Sequence, residues 1–223
     1  MLVADKFAPL FMTALLAACS AGTGGPAKSA PSSAQADKPS DIDAKLVAVL
    51  AGPQRTDAER ARDKFRHPRE TLEFFGLKED MNVVELSAAQ GWYTAILGPL
   101  LAERGKLSVT AADPNGPPDA ESTKNAKLLA ERFAKDPRSF GRVSTIVVNL
   151  KQGDLSLGPE GSADMVLTFR NLHGWIANGF MDKVFGAAFK VLKHGGVLGV
   201  TEHRAKPGTK PDPKVIGDTG YTP

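Results

Sequence analysis

The feature that most constrains the fold of this chain is an alternation of short apolar runs with helical segments across residues 83–201. Five apolar runs have the length and composition of buried strands: 83–86, 107–112, 143–150, 165–169 and 197–201. The intervening segments place apolar residues at helical spacing, most clearly in 119–135 and 180–193. Strands that alternate with helices of this length indicate an α/β domain, in which a parallel sheet carries helices on both faces.

In two of the predicted helices, the sequence makes a specific prediction about one residue. In the helix over 180–193, Phe189 is expected on the buried face together with Val184 and Ala188. In the helix that follows the first strand, Pro99 is expected to introduce a kink or a break, because proline lacks a backbone N–H and its ring crowds the preceding turn.

Composition divides the chain into five segments. These are a signal peptide over 1–19, a tether over 20–40, N-terminal helices over 41–80, the α/β domain over 81–205 and a Pro/Gly-rich C-terminal segment over 206–223. In the tether, 16 of 21 residues are Ala, Ser, Gly or Pro. Such a segment buries too little apolar surface to offset its ordering entropy, so the tether is expected to be disordered.

The N-terminal segment indicates export and a lipid anchor. Residues 7–18 are uncharged, too short to span a bilayer as a mature helix, and of the length of a signal-peptide core. The sequence Leu16-Ala17-Ala18-Cys19 resembles the lipobox of bacterial lipoproteins. The resemblance implies that Cys19 is lipidated and that the protein lies in the cell envelope, on the periplasmic side, and Ser20 favours the outer membrane. The alternative is an uncleaved apolar N-terminus with a buried, unreactive cysteine.

Charge and cysteine content exclude several classes of protein. The net charge is +3, without blocks of like charge, so nothing indicates a nucleic-acid partner. A single cysteine permits neither an intramolecular disulfide nor a cysteine-rich metal site. The four histidines, at 67, 173, 194 and 203, lack the spacing of metal ligands, so no metal is expected.

Ligands of open parallel sheets bind at the carboxyl ends of the strands, so the residues after each strand are the candidate site. The first strand leads into the turn 85–91, sequence ELSAAQG, whose only glycine is Gly91. The pattern G-x-G-x-x-G is absent, which argues against a nicotinamide-dependent dehydrogenase.

This turn resembles motif I of class I S-adenosylmethionine (SAM)-dependent methyltransferases, roughly E-x-G-x-G-x-G, with the three glycine positions on Ser87, Ala89 and Gly91. The chain is similar to exported, methyltransferase-like bacterial proteins in four stretches: 67–77, 91–101, 164–175 and 188–205. The resemblance implies a Rossmann-like sheet that binds SAM. Side chains at two of the glycine positions would fill the turn or strain it by roughly 1 kcal/mol or more.

The resemblance also implies roles for individual residues. Glu85 would organise the turn, and Gly91 would open the following helix beside the methionine part of SAM. Asp113 would accept hydrogen bonds from the ribose hydroxyls, Asp154 would lie near the adenine amino group, and Asn171 would hold the amino-acid part. The alternatives are a turn-forming Asp-Pro at Asp113 and a plain loop aspartate at Asp154.

No catalytic residue is assigned. His173 and the segment 202–204 are candidates for the acceptor side, although a polar cap over a tight turn is an equal reading of His173. Two functions follow: methyl transfer from SAM to an unknown small-molecule acceptor, or a non-catalytic binding lipoprotein that retains the fold. The second is favoured by the missing glycines, by export away from the cytosol, and by a 206–223 segment that lacks the C-terminal hairpin of a full methyltransferase core.

Overall fold

The computed structural model describes residues 41–210 and 212–222. The predicted signal peptide, Cys19 and the tether lie outside these residues. Within the described part, no helix is both long enough and apolar enough to span a membrane.

Four short helices precede the sheet. They are α1 (Asp41–Leu50), α2 (Asp57–Arg60), α3 (Asp63–Arg66) and α4 (Pro68–Phe74). A capping box begins α2: the Glu59 amide donates to Thr56 Oγ1, while the Thr56 amide donates to the Glu59 carboxylate. The helix α1 packs on α4 and on a helix that follows the first strand.

The predicted parallel sheet is confirmed. Its strands are β1 (Asn82–Leu86), β2 (Lys106–Ala111), β3 (Val143–Val147), β4 (Ala163–Phe169) and β5 (Leu192–Thr201), all parallel and in the order 3-2-1-4-5. The strand order reverses at β1, which therefore marks the switch point where such sheets bind ligands.

Helices connect the strands and pack on both faces. They are α5 (Thr94–Leu101), α6 (Glu121–Lys135), α7 (Pro137–Phe140), α8 (Leu172–Ala177), α9 (Met181–Val191) and, after β5, α10 (Pro213–Thr219). Alternate strand residues point to opposite faces, so Val83 enters the core formed with α1, α4 and α5, while Val84 enters the core formed with α8 and α9.

One expectation about the helices is wrong, and of the two effects expected of Pro99 the break does not occur. Phe189 is 82% exposed, because the buried face of α9 is Val184, Ala187, Ala188 and Val191, and Phe189 lies one position further around the helix. Pro99 does not split α5, which continues to Leu101. The missing proline N–H would leave the Ala95 carbonyl without a partner, and Gln54 Nε2 donates to that carbonyl at 3.1 Å.

The C-terminal segment contains structure that the sequence analysis did not predict. Asp212 caps α10 by accepting a hydrogen bond from the Lys214 amide at 2.9 Å. The helix packs on α8, and the Thr222 amide donates to the His203 carbonyl at 2.9 Å. The segment after β5 therefore folds back over α8.

Candidate functional site

Two cavities adjoin the turn between β1 and α5, at the carboxyl ends of the strands. The first cavity, of about 850 Å³, is lined by Ser87, Ala89, Asp113, Asn149, Asn171 and Phe180, among others. The second cavity, of about 430 Å³, shares Ser87, Ala89, Asn125 and Asn171 with the first. Both volumes fall in the range of small-molecule sites.

The turn keeps a glycine-type backbone at all three of the predicted positions. Ser87 has φ = 50°, Ala89 has φ = 51° and Gly91 has φ = 81°. Hydrogen bonds hold this geometry: the Ser87 amide donates to Thr110 Oγ1 at 2.7 Å, and the Gly91 amide donates to the Ala88 carbonyl at 2.8 Å. The Ser87 and Ala89 side chains border both cavities without closing either, so their cost is backbone strain.

Glycine is required at position 91 for a second reason. A Cβ there would lie 2.7 Å from Leu129 Cδ1, closer than carbon atoms pack. Gly91 therefore lets α6 approach the turn.

Relief of this strain is measurable. Ser87→Gly and Ala89→Gly are each expected to raise the free energy of unfolding by about 0.5–1 kcal/mol, because the left-handed penalty exceeds the entropy that glycine loses on folding. Ala88→Gly, in the same turn but buried and without a positive φ, is expected to lower it by about 1 kcal/mol. Urea unfolding of the three variants checks this, and a destabilisation common to all three would contradict it.

Glu85 ties the end of β1 to the start of α5. Its side chain is buried and accepts a hydrogen bond of 2.6 Å from Thr94 Oγ1. Burial raises the pKa of Glu85 to about 8, against the smaller opposing effects of that hydrogen bond and of the Arg132 charge. The carboxyl is therefore protonated at neutral pH.

Asp113 and Asn171 lie at the first cavity, at the carboxyl ends of β2 and β4. Asp113 is exposed, and its Oδ1 accepts a hydrogen bond from the Asn115 amide at 2.8 Å, so it forms the expected turn as well as lining the cavity. Asn171 Nδ2 donates to the Leu86 carbonyl at 3.2 Å and to Thr168 Oγ1 at 3.0 Å. These bonds fix the amide where the two cavities meet.

Asp154 is exposed in the loop after β3 and lines neither of the two cavities. Residues 149–152 of the same loop line the first cavity instead. Asn149 was not among the predicted site residues, because the third strand was expected to run to residue 150, whereas β3 ends at Val147. Lys183 Nζ fixes the loop by donating to the Leu150 carbonyl at 2.9 Å.

The candidates for the acceptor side after β4 and β5 contact one another and the C-terminal segment instead. His173 Nδ1 lies 3.1 Å from Glu202 Oε2, and the His203 ring packs against Tyr221 with centroids 5.4 Å apart. Neither of the two cavities is lined by His173 or by residues 202–204. The polar-cap reading of His173 therefore fits its contacts.

The second cavity is formed largely by residues that the sequence analysis did not select. Guanidinium groups and aromatic rings share its wall: Arg62, Arg66, Arg170, Trp92, Tyr93 and Phe169. Across residues 41–210 and 212–222, no group of three or more His, Cys, Asp or Glu side chains is placed to hold a metal ion.

Comparison with known proteins identifies the fold. No protein-family model and no curated protein matches the chain. A SAM-dependent methyltransferase from Aquifex aeolicus superposes with a TM-score of 0.51 at 18% identity, over 79% of this chain and 86% of that one. Coclaurine N-methyltransferase, bound to N-methylheliamine and SAH, gives a TM-score of 0.43 at 10% identity, over 69% of this chain and 42% of that one. The chain therefore has the Rossmann-like fold of class I SAM-dependent methyltransferases, as the resemblance implied.

Proposed function

We propose that the protein binds SAM in the first cavity and transfers its methyl group to a small-molecule acceptor in the second. The observation that carries the proposal is the 85–91 turn, which keeps left-handed geometry at three motif I positions beside an open cavity. Lipid anchoring through Cys19 at the periplasmic side of the envelope belongs to the same proposal and rests on residues 16–19.

The residues around the first cavity have the chemistry that SAM requires. The Asp113 carboxylate retains lone pairs for the ribose hydroxyls while it accepts from the Asn115 amide. Asn171 Nδ2 donates to the Leu86 carbonyl and to Thr168 Oγ1, and the Asn171 side-chain oxygen can accept a hydrogen bond from an ammonium group. Asn149 and Phe180 offer an amide and an aromatic face to a purine.

SAM, when bound, would supply an electrophilic methyl group: the acceptor atom would bond to the methyl carbon as the carbon–sulfur bond breaks to leave S-adenosylhomocysteine, and any proton on the acceptor atom would pass to water. The protein contributes alignment, since a bound pair replaces an encounter between free molecules. Asn171, at the junction of the two cavities, is a positioning residue for that alignment.

The competing proposal is a non-catalytic binding lipoprotein. It is favoured by the Ser87 and Ala89 side chains, which stand where a glycine turn would leave the ligand more room. Direct measurement of SAM binding separates the two proposals.

Titration calorimetry with SAM and with S-adenosylhomocysteine is expected to show saturable binding to the full chain. Asp113→Asn is expected to weaken it about tenfold or more, since it removes charge-assisted hydrogen bonds to the ribose while an asparagine still caps the turn. Asp154→Asn is the matched control, because Asp154 is exposed and lines neither cavity. An unchanged affinity for Asp113→Asn would exclude the ribose role, and no binding at millimolar ligand would exclude the enzyme.

A further inference from the structure

Three arginines line the second cavity and form no ion pair with any residue that the structure describes. Arg62 precedes α3, Arg66 ends it, and Arg170 follows β4. Among the described residues none of the three forms an ion pair, whereas Arg55, Arg69, Arg104 and Arg132 all do. The Nε atom of Arg66 is buried and has no hydrogen-bond partner within residues 41–210 and 212–222. An unpaired cationic group at a cavity wall is a ready partner for an anion.

The three charges act on one another. Burial, together with the neighbouring charges of Arg62 and Arg170, lowers the pKa of Arg66 to about 10. Arg170 also has φ = 64°, a conformation rare outside glycine, and its amide donates to the Thr201 carbonyl at 2.7 Å. Strained backbone of this kind is found at ligand sites more often than elsewhere.

The carboxyl groups at the same cavity do not neutralise this charge. Glu59 forms an ion pair with Arg132 at 2.6 Å and completes the capping box with Thr56. Glu85 is protonated at neutral pH because burial raises its pKa. The third carboxyl residue at the cavity is Glu121, at the start of α6. It forms no ion pair with any described residue. The cavity therefore carries a net positive charge.

Three aromatic residues form part of the same wall. The Tyr93 and Phe169 rings stack with centroids 3.4 Å apart and planes 8° from parallel, and Trp92 meets Tyr93 edge-on at 4.7 Å. The Arg66 guanidinium lies 4.6 Å from the Trp92 ring centroid, which holds the cation beside the aromatic surface. A flat apolar body and an anionic group can thus be bound side by side.

We propose that the methyl acceptor is a flat, apolar molecule carrying an oxyanion, of the aromatic carboxylate class, with its oxyanion on Arg66, Arg62 and Arg170 and its body against Trp92 and Phe169. The acceptor role rests on the proposed function. The oxyanion site itself rests only on the second cavity, so an experiment can exclude either the oxyanion site or methyl transfer without excluding the other.

The test uses benzoate and its neutral analogue benzamide as probes, with the indole N–H signals of the full chain read by NMR. There are two tryptophans: Trp92 lines the second cavity, and Trp175 is buried in the core beside α9, where it serves as an internal reference. Benzoate is expected to shift the Trp92 signal at concentrations about tenfold or more below those needed for benzamide. The Trp175 signal should not move, and Trp92→Phe assigns the two signals.

Arg66→Gln and Arg170→Gln are expected to weaken benzoate binding about tenfold each and to leave benzamide unchanged. The control is Arg142→Gln, which removes an exposed arginine that lines neither cavity. Benzoate binding no tighter than that of benzamide would overturn the proposal. So would arginine variants that lose affinity for S-adenosylhomocysteine and keep it for benzoate, since the guanidinium groups would then serve the cofactor. Arginine-dependent benzoate binding without any binding of S-adenosylhomocysteine would support the oxyanion site and exclude methyl transfer.

Discussion

Replacement of Arg55 by methionine is expected to lower the free energy of unfolding by about 3 kcal/mol, among the largest effects of any single substitution in this chain. The Arg55 side chain is fully buried, and its Nη1 donates to the Leu50 carbonyl and to Asp63 Oδ2, both at 2.9 Å. Methionine keeps much of the apolar stem but leaves Asp63 without its cation. Asp63 is 30% exposed, so water recovers part of the loss and the lower end of the range for a broken buried pair applies.

Thermal and urea unfolding followed by circular dichroism measure this effect, which corresponds to a fall in Tm of roughly 6–12 °C for a domain of this size. Arg104→Met is the matched control, because Arg104 pairs with Glu79 at 2.6 Å on the surface and an exposed pair contributes at most about 1 kcal/mol. Equal losses for the two variants would show that the buried pair contributes no more than the exposed one.

The Arg55 pair also supports the second cavity. Its guanidinium lies 5.0 Å from the Trp92 ring centroid, and Trp92 Nε1 donates to the Glu59 carbonyl at 3.3 Å. Arg132 extends the same network by donating to the Gln54 carbonyl at 2.9 Å. The helices before the sheet are thereby held against the turn between β1 and α5, which is how residues far apart in sequence come to line one cavity.

The fold could be predicted because its signals are local. Alternation of apolar runs with helical segments identifies a parallel sheet, and such sheets bind ligands at the carboxyl ends of their strands, so the candidate positions follow without any knowledge of side-chain packing. Asp113 and Asn171 could be selected because they lie two residues beyond the ends of β2 and β4, at positions to which the resemblance gives a role in cofactor binding. Asn149 was not selected, because the end of the third strand was predicted three residues too late and the candidate position moved along the loop.

The second cavity could not be predicted, because its charge depends on tertiary contacts. Arg62 and Arg66 lie more than a hundred residues before Arg170, and each is one arginine among many. What distinguishes these three is that they line one cavity and form no ion pair among the described residues, a combination that no periodicity or spacing reports. The Gln54 side chain that satisfies the carbonyl left by Pro99 is a second example of a contact visible only after folding.

Glu85→Gln is expected to remove a loss of stability that the parent chain shows as the pH rises. An ordinary glutamate has a pKa of 4.5, and burial raises that of Glu85 in the folded chain to about 8. Between these values the native state keeps a proton that the unfolded state has released, so the free energy of unfolding falls as the pH rises through this window and levels off above it. The total is on the order of 3–5 kcal/mol, at about 1.4 kcal/mol per pKa unit.

The difference between the parent chain and Glu85→Gln isolates this contribution, because every other titrating group is common to both. Near pH 5 the two chains should have similar stability, since glutamine resembles a protonated glutamate and can still accept from Thr94 Oγ1. Near pH 9 the variant should be the more stable, by an amount that urea unfolding at each pH measures. Glu160→Gln, at an exposed position, is expected to follow the parent chain throughout. If Glu85→Gln also follows the parent chain, Glu85 is ionised in the folded protein. Its negative charge would then lie at the second cavity and oppose binding of the oxyanion proposed for Arg66 and Arg170.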